Sequence, residues 1–133
     1  MFGIRSFEIF SSSLCFLAPL LLCGCYFANH TAPDIGVHFE TEPNPPHVGS
    51  NVFVVKLIKA DDVAVTGARV SLEADMSHPG MSPTMSELKE VGAGNYRGEL
   101  NLAMRGDWVL EFHIVLADGR KVERVVPLRN VKE

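Results

Sequence analysis

Trp108-Val-Leu-Glu-Phe-His-Ile-Val-Leu116 sets Trp108, Leu110, Phe112, Ile114 and Leu116 on one parity and Val109, Glu111, His113 and Val115 on the other. Successive side chains of a strand point to opposite faces, so this run reads as a strand with one wholly apolar face. Turn chemistry bounds it on both sides: Arg105-Gly106-Asp107 before it and the hairpin signal Ala117-Asp118-Gly119-Arg120 after it.

The neighbouring segments repeat the pattern. Upstream, Tyr96, Gly98, Leu100, Leu102 and Met104 share a parity, with Arg97, Glu99 and Asn101 opposite, after the turn Gly92-Ala93-Gly94-Asn95. Ser86–Val91 is a further strand of open register. Ala68–Met76 alternates cleanly, with Val70, Leu72, Ala74 and Met76 inward and Arg69, Ser71, Glu73 and Asp75 outward. Asn51–Lys59 is apolar on both faces, which suits the middle of a sheet. Ile35–Glu40 sets Ile35, Val37 and Phe39 on one side and fits an edge strand, because Pro43, Pro45 and Pro46 lack the amides a central strand needs. Downstream, Lys121–Leu128 carries Val122, Val125, Val126 and Leu128, a parity slip that predicts a bulge within the strand.

No long stretch after residue 30 has helical periodicity. About seven short strands with turn signals every roughly 8–12 residues predict an all-β fold, an immunoglobulin-like β-sandwich. Trp108 is then a core tryptophan with no disulfide to pack on.

The N-terminal segment is of another kind. Arg5 lies in a short head, Phe7–Leu22 is mostly apolar, and Leu22-Cys23-Gly24-Cys25 resembles a bacterial lipobox with a small residue before the cysteine to be lipidated. The reading is a cleaved lipoprotein signal peptide over 1–24, a tether with an edge strand over 25–47, and the sandwich domain over 48–133. An uncleaved membrane anchor is the alternative, although the apolar stretch falls short of the ~20 residues that span a bilayer, and Glu8 and Ser11–Ser13 interrupt it. The expected location is the periplasmic side of the cell envelope, tethered to a membrane through lipid on Cys25.

All three cysteines, Cys15, Cys23 and Cys25, fall in or at the end of that segment. The sandwich therefore has no thiol for a disulfide, a thiolate metal site or a nucleophile. A formal net charge of −4 with scattered basic residues argues against nucleic acid as a partner. Catalysis has little support: Ser71, Ser77 and Ser82 have no evident His/Asp partners, and neither GxSxG nor HExxH occurs. The chain reads as a non-enzyme.

Ala74–Met85 holds three of the five methionines and one of the five histidines, folded back at Pro79-Gly80 and again at Ser82-Pro83. Thioether sulfur and imidazole nitrogen suit copper, and monovalent copper above all. Met76, His78, Met81 and Met85, with Met104 at the end of its own strand, are the candidate metal ligands. Against this, methionine fills irregular core gaps, so Met76 and Met104 taken singly read as packing residues. Zinc fits the set less well, since only one histidine is local. His30, His38 and His47 form a weaker, nitrogen-rich alternative for divalent copper. His113 reads as a surface or edge residue, and Glu73 with Asp75 as a solvated face.

With these residues in view, the chain resembles the YtkA-like domain family, small exported β-sandwich domains that include relatives of the FixH proteins of oxidase assembly loci. The resemblance spans roughly Val48 to Val131. It rests on Gly67-Ala68-Arg69-Val70 leading to a methionine, on the Met76…Met81 loop, on Gly94-Asn95-Tyr96 and on Met104-Arg105-Gly106-Asp107-Trp108. It implies an immunoglobulin-like fold, an envelope location and a link to copper handling or cytochrome oxidase maturation, with a partner among the proteins of those processes. Family loops often carry a methionine followed by proline. Here Ser77 follows Met76, and Pro79 comes later.

Two functions stand open from the sequence. One is a lipid-anchored protein that binds or passes copper; the other is a metal-independent interaction module that docks on an envelope complex through the same loop.

Overall fold

A computed structural model describes residues 34–133. The expected signal peptide over 1–24, Cys25 and His30 lie outside the described residues. The chain forms seven antiparallel strands: β1 (Ile35–Glu42), β2 (Gly49–Lys59), β3 (Arg69–Met76), β4 (Thr84–Gly92), β5 (Asn95–Leu102), β6 (Gly106–Val115) and β7 (Lys121–Val131). Their order is β1-β2-β5-β4-β3-β6-β7.

The fourth strand makes this a two-layer body. Thr84–Leu88 of β4 pairs with Ala74–Val70 of β3, and after Leu88 the strand turns to pair Lys89–Gly92 with Arg97–Asn95 of β5. One layer is thus β1-β2-β5-β4 and the other β4-β3-β6-β7, the strand grouping of a constant-type immunoglobulin domain. The opposite edges also approach each other. His47 makes a parallel bridge to Lys132, the Val48 amide donates to the Lys132 carbonyl at 2.7 Å, and the Lys132 amide donates to Pro46 at 3.0 Å. The sandwich is nearly closed.

The inner faces are the parities that alternation predicts: Phe53, Val55 and Leu57 from β2, Val70, Leu72, Ala74 and Met76 from β3, and Trp108, Leu110, Phe112 and Ile114 from β6, all buried. Phe39 of the edge strand stacks at 5.9 Å from Phe112 and 6.3 Å from Phe53, so one ring joins the two layers. As its two apolar faces suggest, β2 runs between β1 and β5.

Two local expectations are corrected. β5 stops at Leu102, so Met104 does not extend an inward strand face; it stands exposed in the following loop. The predicted bulge inside Lys121–Leu128 is also absent. Register with β6 is unbroken from Lys121 to Leu128, and Val125 simply faces outward. The irregularity comes one step later, where Arg129 and Asn130 oppose Asp107 alone. There Asn130 adopts a φ of 67°, and its amide donates to Asp107 Oδ1 at 3.0 Å.

Tyr96 carries the main buried polar link between a strand and a loop. Its hydroxyl donates to the Val65 carbonyl at 2.8 Å and accepts from the Ala68 amide at 3.1 Å, pinning the segment between β2 and β3. Burial, ahead of the nearby Glu90 charge, pushes the phenol above its ordinary value of 10.0 even though the Ala68 bond pulls the other way. Tyr96→Phe leaves both backbone groups without their partner and is expected to cost about 1–3 kcal/mol in chemical denaturation. Because the phenol ionises more readily unfolded than folded, wild-type stability is full below pH ~10 and declines as pH rises above it. The Phe variant should lose that component of the alkaline decline, and an unchanged alkaline limb would contradict this role.

Candidate metal-binding pole

The β3–β4 and β5–β6 loops emerge at the same end of the sandwich. Register explains why: Met76, the last residue of β3, pairs with Trp108 near the start of β6, so the chain leaving β3 runs beside the chain entering β6. Ser77 ties the two together, its amide and hydroxyl donating to the Asp107 carbonyl at 3.5 and 3.4 Å. The Trp108 indole Nε1 donates to the Met104 carbonyl at 3.0 Å and holds the second loop over the core edge.

Between these loops lies an open concavity of about 520 Å³ lined by Met76, His78, Pro79, Gly80 and Met81 from one side and Met104 and Arg105 from the other. Four of the five expected ligand residues therefore share one hollow. Their exposure is graded. Met76 is 7% exposed and forms the floor, while Met81 at 36% and Met104 at 48% stand at the rim beside exposed His78. Gly106 opens β6 beside the Met76 methyl with a φ of 123°, a backbone conformation that residues bearing a side chain rarely adopt.

Met85 is not part of this hollow. It sits inside β4, directly across from Glu73, 62% exposed on the outer face of the second layer. The Ser82-Pro83 turn that seemed to fold it back instead launches a strand. His38 lies on the outward side of edge strand β1, and His47 at the bridge to Lys132, so the two are held in separate settings.

A buried polar residue fixes the loop between β1 and β2. Asn51 is fully buried, and its amide donates to the carbonyls of His47 at 2.7 Å and Gly49 at 2.9 Å while its Oδ1 accepts from the His47 amide at 3.0 Å. Nothing in the alternation of Asn51–Lys59 reveals that role. A polar residue opening an otherwise apolar strand is the one available signal. The positive charge of Arg105 at the rim is offset by Glu133 at 3.5 Å, both well exposed.

A YtkA-like family model matches residues 29–113, well over half of the chain. The chain belongs to the YtkA-like family. The match takes in β1 and ends within β6, so the family region begins earlier and stops sooner than the Val48–Val131 span of the sequence motifs. Among solved structures, this YtkA-like chain is similar to a DUF4426 family protein from Pseudomonas aeruginosa, with a TM-score of 0.55 and 13% identity over 75% of this chain and 93% of that one. At that identity the likeness concerns the fold alone. No curated protein matches the YtkA-like chain.

Proposed function

We propose that this YtkA-like protein is an exported, lipid-anchored copper carrier, tethered through Cys25, that holds or passes monovalent copper at Met76, His78, Met81 and Met104. The observation that supports the reading is the shared hollow, whose lining includes Met76, His78 and Met81 from one side and Met104 from the other. Neutral thioether ligands suit a soft monovalent ion and disfavour magnesium or calcium. Donors at the rim leave the ion accessible to a receiving protein, as a carrier needs and a buried structural site does not. An envelope copper-handling or oxidase-assembly protein is the partner this reading calls for.

Titration with monovalent copper under reducing conditions, against a chromogenic chelator, tests it. One ion per chain is expected, with Met81→Leu and Met104→Leu each weakening binding by roughly tenfold or more, equivalent to ~1.4 kcal/mol. Met85→Leu, outside the hollow, should leave that affinity unchanged. If no stoichiometric copper binds, the carrier reading is rejected in favour of a docking module that uses the exposed methionines as adaptable contacts. Such a module keeps its partner when copper is chelated.

A further inference from the structure

A second set of donor atoms lies on the outer face of the β4-β3-β6-β7 layer, away from the methionine hollow. Glu73 of β3 and Glu111 of β6 are directly paired across the two strands, and His113 follows two residues later on the same face. One ligand atom from each of these three side chains lies within 4.8 Å of the others. The imidazole lies between two carboxylates. Nε2 faces Glu73 Oε2 at 3.3 Å, while Nδ1 faces Glu123 Oε1 of β7 at 3.6 Å, across the register pair His113–Glu123.

Each feature has a physical consequence. Like charges directly opposite on neighbouring strands repel, and Glu73 and Glu111 stand directly opposite each other. A carboxylate beside the far nitrogen of a histidine is the usual outer partner of a metal-bound imidazole: it sets the tautomer and turns the other nitrogen to the ion. Here Glu123 stands in that place. The donors lie on two paired strands, β3 and β6, and are partly shielded, with Glu73 26% and His113 31% exposed, so the backbone positions are preorganised. Ligands about 2.0–2.1 Å from zinc stand on the order of 3.4 Å apart in a tetrahedron, so side-chain rotation of roughly 1 Å closes the set.

The geometry points to a divalent first-row metal site formed by Glu73, Glu111 and His113, with Glu123 as the positioning residue behind the imidazole. One imidazole and two carboxylates suit divalent copper or zinc, and three protein ligands leave a position for water or an incoming donor. This site is independent of the methionine hollow, which takes the softer, reduced ion.

The test uses the full chain in detergent, titrated separately with Cu²⁺, Zn²⁺ and Mg²⁺ and followed by calorimetry and by the His113 imidazole resonances. Divalent copper is expected to bind more tightly than zinc, with no magnesium response, and both transition ions should perturb His113. His113→Gln should remove this binding step, and Glu123→Gln should weaken it by roughly 10–100-fold. The Met81→Leu, Met104→Leu double variant should keep it, which separates this site from the copper-carrier reading. Unperturbed His113 resonances, or equal binding by His113→Gln, would reduce the cluster to a salt-bridged surface patch and overturn the proposal.

Discussion

Replacing Trp108 by alanine should lower the unfolding free energy by about 3–5 kcal/mol, a large share of the ~5–15 kcal/mol that holds a small domain together. The indole is 2% exposed and stands where β6 begins, paired with Met76 on one side and Leu128 on the other. With no cysteine in the described domain, no disulfide cushions the cavity left behind. Urea denaturation should show a lower midpoint with little change in slope. Trp108→Phe separates packing from hydrogen bonding. It keeps most of the apolar volume but deletes the Nε1 bond to Met104, which is worth about 0.5–1.5 kcal/mol. On the copper reading it should also weaken binding at the pole, because the loop bearing Met104 loses its anchor. A loss below about 1 kcal/mol for the alanine variant would show that the indole is not a principal core residue.

Gly98→Val carries the second large effect, through crowding. A Cβ at Gly98 would stand 2.3 Å from Leu88 Cδ2, 3.0 Å from the Glu87 carbonyl oxygen and 3.3 Å from Ser86 Oγ. Leu88 can rotate away, but the Glu87 carbonyl belongs to the strand backbone and cannot. This is also the place where β4 leaves β3 for β5, so bare backbone at Gly98 lets the crossing strand come close. Overpacking of this kind costs typically about 1–3 kcal/mol, and a branched side chain against backbone belongs at or above the top of that range. Thermal unfolding of Gly98→Val, Leu88→Ala and the double variant checks the cause. The double variant should be more stable than the sum of the single losses by at least about 0.5 kcal/mol. Simple additivity would mean that Leu88 and Gly98 do not share the corner.

How much was legible in the sequence follows from the kind of information each feature needs. Strand parity is local, so the inward faces of β3 and β6 and the edge position of β1 could be read directly. Parity across a strand end is not local. Met104 has the parity of Leu100 and Leu102, yet β5 ends before it, and the residue turns outward. Met85 illustrates the converse error: proximity to two prolines suggested a fold-back, but pairing with Glu73 draws the segment into a strand. In β7, Val125 and Val126 looked like a slip because both are apolar, although one faces the core and the other solvent. Glu73, Glu111 and His113 each carried an outward-parity signal. Their convergence required knowing that β3 lies beside β6.

Alternation of apolar residues, turn dipeptides and the placing of every cysteine in the leading segment determined from the chain alone an all-β body without disulfides, because those signals act between near neighbours. Which loops meet at one end, which strand serves both layers and which carboxylates face one histidine were decided by antiparallel pairing between segments tens of residues apart. That pairing is set by the joint burial of two faces, a property no single strand possesses.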